Sequence, residues 1–202
     1  MMYLAATSSS LHGAHPRIHV MTGPRTGGLR PLGEGRLWAS DNDAYSGRFC
    51  PERFGRHLQR LLPHAQRCLF VAAPDFPGDP DSTLACWRAC MPHLALEFPY
   101  PFAFVAQTGC VPEDIPGDAG ALFLAGHDAW REGQAGADLI QHAREALGLH
   151  VHIGRVNSAS RLRHFAGLGA HSADGTYLSY QGVTRGLAVI GRWLDQTPGV
   201  AP

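Results

Sequence analysis

The run LFVAAPD, residues 69–75, is a short apolar stretch that stops at a carboxylate, Asp75. A run of this length bounded by turn residues reads as a strand buried on both faces. The same design recurs outward from it. LWASDN (37–42) ends around Asp41, FAFVAQTG (102–109) reaches Gln107, and ALFLAG (121–126) stops at Gly126. Behind a helix-like stretch, GLGAHSADGT (167–176) carries Asp174. Buried strands that each finish in a residue suited to chemistry are what a parallel barrel or sheet produces, because its active site gathers at the C-terminal ends of the strands.

The chain between these runs alternates strand and helix. Strands are predicted over 3–7, 18–22, 37–40, 68–73, 103–107, 121–125, 151–156 and 172–175. Helices are predicted over 51–62, 82–96, 130–147, 158–168 and 177–196. Pro51 suits a first helical position, Asp81 or Ser82 a cap, and Gly148 the residue after a helix end. The Gly- and Arg-rich stretch 23–35 reads as a mobile loop. Eight strands with intervening helices predict a compact (β/α)8 TIM barrel in a single domain spanning 1–202. At 202 residues the chain is near the lower size limit of that fold, so loops must be short and some helices reduced. An open doubly wound sheet is the alternative. It would normally bring a Gly-rich phosphate loop, and neither GxGxxG nor GxxxxGK[ST] occurs.

Composition bounds the function classes. Lys and Arg total 17, and so do Asp and Glu. There is no global basic field, so a nucleic-acid partner must be held by a local patch. No apolar run is long enough for a membrane span. The N-terminal stretch lacks the basic and apolar regions of an export signal, so the chain reads as cytoplasmic with reduced thiols. The five cysteines, Cys50, Cys68, Cys86, Cys90 and Cys110, make a poor disulfide framework. Cys86 and Cys90 share a helix face, but no second Cys/His pair completes a metal site, and buried helix thiols are expected. Neither a metal nor a cofactor is predicted.

Asp41, Asp75 and Asp174 are the chemistry-bearing residues at strand ends. Singly, each reads as a helix or turn cap. Three together, with Gln107, point to a site. Glycosyl transfer needs one carboxylate as nucleophile or ion-pair stabiliser at an oxocarbenium-like centre and a second carboxyl for proton transfer. Asp43 competes with Asp41 for such a role. Tyr45 stacks on a planar ring or packs the loop. Arg155 and Asn157 lie at the end of a strand and either bond within the barrel mouth or touch substrate.

The ordered set DNDAY (41–45), APD (73–75), VAQTG (105–109), LAG (124–126) and GAHSADGT (169–176) resembles the tRNA-guanine transglycosylase superfamily. It is closer to the short branch, found in phage and bacterial DNA-modification systems, that inserts 7-deazaguanine bases into DNA. The likeness covers about residues 37–180. It implies Asp174 as covalent nucleophile and Asp41 as the proton-transferring carboxylate. It also implies Tyr45 as the aromatic over the base, Asp75 and Gln107 as readers of its edge, and Gly126 as donor of a backbone N–H to the base carbonyl. Asp43 and Gly109 fall within the matched base-binding segments. The chain departs from the family pattern at Asp43, Thr108, Ala125 and His171. The tRNA enzymes carry a Cys₃His zinc site after the nucleophile, and no cysteine follows Cys110 here. That argues for DNA over tRNA.

The expected activity is therefore exchange of guanine for a 7-deazaguanine derivative (queuine-like) in nucleic acid, DNA in preference to RNA. The partners would be a 7-deazapurine base and the polymer, with a homodimer or accessory modification proteins as further possibilities. Arg25, Arg30, Arg36 and Arg48, with Arg155, Arg161, Arg163 and Arg185, either grip phosphates at the barrel mouth or are ordinary solvated side chains. A deazapurine glycosidase for salvage and a non-catalytic barrel subunit are the alternatives.

Overall fold

The computed structural model describes residues 1–199. Eight parallel strands close into a barrel in sequence order. They are β1 (Met2–Ala6), β2 (Ile18–Thr22), β3 (Trp38–Ser40), β4 (Cys68–Ala72), β5 (Phe102–Ala106), β6 (Ala121–Leu124), β7 (His150–Ile153) and β8 (Ser172–Asp174). β8 pairs back onto β1 with Asp174 beside Leu4. The (β/α)8 expectation holds, and closure removes the open-sheet alternative.

Alternation sorts each strand's residues. Leu4, Met21, Ala39, Phe70, Ala103 and Ala121 form one cluster, with Phe123 packed against it, that fills the barrel interior. Their neighbours Tyr3, Val20, Val71, Phe104, Leu122 and Val151 belong to the outer core under the helices, with Leu58, Ile140, Leu162 and Ile190. Strands apolar on both faces are what this two-layer burial requires.

The helical layer is uneven, as the short chain demands. No helix separates β1 from β2. The β2–β3 connection holds only α1 (Arg30–Gly33) and β5–β6 only a 3₁₀ turn at Pro112–Asp114. The fuller helices are α2 (Pro51–Leu61), α3 (Pro80–Glu97), α6 (Ala159–Gly167) and α8 (Val183–Asp195). The stretch predicted as a mobile loop is anchored: Leu32 in α1 is buried in the core, and Thr26 N–H closes a turn onto Gly23 O at 2.8 Å.

Three local readings need correction. The helix predicted over 130–147 is divided at Gly133 into α4 (Asp128–Glu132) and α5 (Gln134–Gln141), followed by a π-helical turn at His142–Ala146. The break lets α5 fold back tightly, since a Cβ at Gly136 would lie 2.0 Å from the Arg131 carbonyl. The helix predicted over 177–196 is broken by Gly182, whose φ of +74° only glycine adopts freely. It becomes α7 (Tyr177–Gln181) and α8. The cap of α3 is Asp79, which accepts from Ser82 N–H at 2.9 Å, because Pro80 rather than Ser82 opens the helix.

Candidate active site

β7 stops at Ile153, three residues short of its predicted end, and the stop builds the site. Gly154 lies against Phe123, where a Cβ would come within 2.7 Å of the ring. Arg155 then takes a left-handed φ of +59°, a strained choice for a side-chain-bearing residue. This turn aims the Arg155 N–H at Asp174, whose Oδ1 accepts it at 2.9 Å. The Arg155 guanidinium reaches across the mouth. It donates to the carbonyls of Ala125 and Gly126 and, at 3.0 Å, to Tyr45 Oη. Its Cζ lies 4.9 Å from the Tyr45 ring centroid. Tyr45 is 71% exposed and stands at the rim.

Behind that pair lies a cavity of about 350 Å³ with Asp41, Asp75, Gln107, Phe123, Gly126 and Asp174 in its wall, together with Tyr45 and Arg155. This volume is at the small end of the range for ligand sites, about 300–1,000 Å³. Ala72, Val105, Phe123 and Ala125 supply apolar faces. The polar edge is tightly tied. Gln107 donates its amide to Asp75 Oδ2 at 2.7 Å and accepts from Gly78 N–H at 2.9 Å. Asn42, 2% exposed, donates to Asp75 Oδ1 at 2.8 Å and to the Ala73 carbonyl at 2.6 Å. Its Oδ1 accepts from Ala44 N–H at 2.8 Å. Burial raises the Asp75 carboxyl to about 6, with the Asn42 hydrogen bond opposing.

A second chamber, about 490 Å³, adjoins the first on the β1–β2 side. Thr7, Ser8, Thr22, Arg25, Thr26 and Ser179 line it. Asp41, Arg155, Asp174 and Thr176 belong to both walls. Asp41 accepts from Asn42 N–H at 2.8 Å. Burial, and then the facing Asp174 charge, raise the Asp41 carboxyl to about 6. The two strand-end carboxylates thus sit at the junction of a pocket with apolar walls and a polar edge and a hydroxyl-rich chamber.

Several predicted positions take other roles. Gly126 N–H bonds the Ala106 carbonyl at 3.3 Å, so it is not free to meet a base carbonyl. Its lack of a side chain serves packing, for a Cβ would lie 2.5 Å from Trp130 and 2.7 Å from Thr108 N. Gly109, at φ +101° beside Pro80, is a turn residue outside both linings. Asp43, also left-handed at φ +69°, lines only the second chamber and accepts from Arg25 at 3.0 Å. Arg161 is held by Asp128 at 2.6 Å and Glu132 at 2.8 Å and lines neither cavity. Arg36 donates to five backbone carbonyls, those of Leu11, Ala14, His15, Pro16 and Ile18, which makes it a structural clamp.

Asn42 and His152 are the residues the sequence reading passed over. Asn42 lay between two more conspicuous carboxylates. His152 lay inside a strand, although its period-two spacing from His150 marks both as inward-facing. No group of three or more His, Cys, Asp or Glu side chains among the described residues is arranged to hold a metal ion. No helix among them is long and apolar enough to cross a membrane.

No protein-family model and no curated protein matches the chain. Solved structures do. The chain is similar to 3-hexulose-6-phosphate synthase from Salmonella typhimurium, at 14% identity and TM-score 0.52 over 98% of this chain and 99% of that one. A designed cube-shaped protein cage made by fusing symmetric oligomeric domains matches at 12% identity and TM-score 0.54, over 96% of this chain and 70% of that one. Phosphoribosyl anthranilate isomerase from Thermus thermophilus aligns at 17% identity and TM-score 0.49, over 97% and 99%. At such identities the likeness carries the fold alone, and function has to be argued from the site.

Proposed function

We propose that this protein is a base-exchange transglycosylase that replaces guanine with a 7-deazaguanine derivative in DNA. The observation that carries the reading is the position of Asp41 and Asp174, which both face two adjoining chambers. A glycosidic bond joins a flat heterocycle to a polyhydroxylated ring. A base in the smaller pocket and its sugar in the hydroxyl-rich chamber would bring C1′ between these carboxylates. The ordered motifs at residues 41–45, 73–75, 105–109 and 169–176 support the same assignment by resemblance.

In this mechanism Asp174 attacks C1′. The C1′–N9 bond breaks, its electron pair leaves with guanine, and the proton on Asp41 neutralises the departing base. The incoming deazapurine returns a proton to Asp41, attacks C1′ through N9, and displaces the Asp174 ester. One glycosidic bond replaces another, so the step balances without an added oxidant or reductant. An Asp41 carboxyl lifted to about 6 suits both directions of that transfer near neutral pH. Asp75, braced by Asn42 and Gln107, retains lone pairs to accept from a guanine-like N–H edge. Bases without those donors leave it unpaired, which discriminates strongly. A target inside a duplex must first be flipped out of the stack.

The test is incubation of the protein with labelled 7-deazaguanine bases and, separately, DNA, RNA and free nucleosides. Label entering DNA supports the proposal. Release of free base with water as acceptor would assign a glycosidase on the same carboxylates. Binding of the base with no turnover on any of them would leave a binding barrel.

A further inference from the structure

Beneath Asp174 the barrel interior is polar where a barrel core is normally aliphatic. His150 and His152 point inward from β7 and Ser172 from β8. Ser172 Oγ lies 2.8 Å from His150 Nε2 and 2.9 Å from His152 Nδ1. His152 is fully buried and boxed by aromatic rings, with centroids 4.6 Å away at Phe123 and 4.9 Å at Phe70. Its remaining nitrogen, Nε2, is buried without a hydrogen-bond partner. It stands 3.6 Å from Asp174 Oδ1, just beyond hydrogen-bond reach. A buried polar nitrogen left unpaired is costly, so it needs a reason.

We infer that His152 is a positioning residue for Asp174, held as the Nε2–H tautomer by the Ser172–His150 chain so that its N–H faces the carboxylate. The direction of the chain follows from the serine's single proton. If Ser172 donated to His150, His152 would have to donate from Nδ1 and present a bare lone pair to Asp174. The carboxylate disfavours that arrangement. It selects the opposite one, in which His150 Nε2–H donates to Ser172, Ser172 donates to His152 Nδ1, and His152 Nε2–H meets Asp174. Burial and the neighbouring His152 lower the His150 pKa to about 3, so His150 stays neutral and the chain keeps this polarity.

Asp174 is then held from two sides, by the Arg155 N–H at 2.9 Å and by the imidazole below. A carboxylate with 21% of its side chain exposed gains a fixed aim toward the junction of the two chambers. A mobile one would spend much of its time turned away from any reacting carbon. The catalytic meaning of this device rests on the reading of Asp174 as nucleophile, whereas the tautomer itself does not.

Two measurements keep these apart. Long-range ¹⁵N–¹H correlation on the ligand-free ¹⁵N-labelled protein reads the tautomer directly. His152 is expected in the Nε2–H form, with its Nε2 shift moving in Asp174→Asn. An Nδ1–H form, or an Nε2 signal indifferent to that substitution, overturns the inference whatever the enzyme does. In the exchange assay, His152→Leu is expected to lower kcat by about tenfold to hundredfold, as loss of a side chain that orients a functional group does, with KM changed less than about threefold. His152→Gln, which keeps an N–H near the same point, should recover most of that loss. Equal impairment in both variants overturns the positioning role in favour of a purely structural one. Failure of Asp174→Asn to affect exchange overturns the proposed function and leaves the tautomer result standing.

Discussion

Asp41 and Asp174 are both strand-end aspartates, yet their surroundings differ. Asp41 is half-buried, and desolvation followed by the facing carboxylates raises it to about 6 from an ordinary 3.8. The folded protein therefore holds a proton on Asp41 through a pH range in which the unfolded chain has lost it. Stability falls as pH rises through roughly 4 to 6, and the full cost, about 3 kcal/mol, is present above that window. Asp41→Asn should raise Tm at pH 7.5, by about 2–4 °C per kcal/mol recovered, and the gain should vanish near pH 4 in a melting series. The same variant should lose exchange activity by more than about a hundredfold. Asp174→Asn should lose it almost wholly with Tm little changed, as expected for a nucleophile. At this scale the sequence was legible wherever a carboxylate closes an apolar run. Asn42 was not legible, because its importance lies in bonds to Ala73 and Asp75, more than thirty residues away. Gly126 shows the converse: the motif marked the right place, but its N–H is spent on Ala106.

At the level of elements, the end of β7 governs the site. Gly154 admits the Phe123 ring, and Arg155 turns left-handed to meet Asp174. The buried Arg131 guanidinium braces this turn from α4, donating to the Gly154 carbonyl while Asp128 balances its charge. Asp128 is about half exposed and keeps Arg161, so the loss falls on the buried Gly154 carbonyl, which without its donor costs about 1–3 kcal/mol. Arg131→Ala should therefore destabilise the protein by that order in urea unfolding, and loosen the mouth of the pocket. Gly154→Ala should weaken deazapurine binding by at least about tenfold in calorimetry, because its Cβ collides with Phe123 and displaces a pocket wall. The strands were legible because a short apolar run closed by turn residues is a local pattern. The breaks at Gly133 and Gly182 were harder to read, since helical periodicity runs through both glycines. What breaks each helix is the need to fold back on the barrel, a tertiary demand that outweighs local preference.

On the scale of the molecule, the barrel brings residues from all eight of its strand ends to one rim. Below that rim the barrel interior carries the histidine chain. Net charge is balanced, and the two arginines in the chamber walls, Arg25 and Arg155, are engaged by partners within the protein. Exchange on DNA should therefore show a shallow salt dependence, with a log–log slope no steeper than about −3. In the proposed exchange Asp174 carries the sugar between the departing and the incoming base. Acid quenching during turnover, followed by nuclease and protease digestion and mass spectrometry, tests it most directly. A pentose ester is expected on the peptide containing Asp174, absent in Asp174→Asn. Steady exchange with no adduct on that peptide, or an adduct on a different residue, would contradict that role.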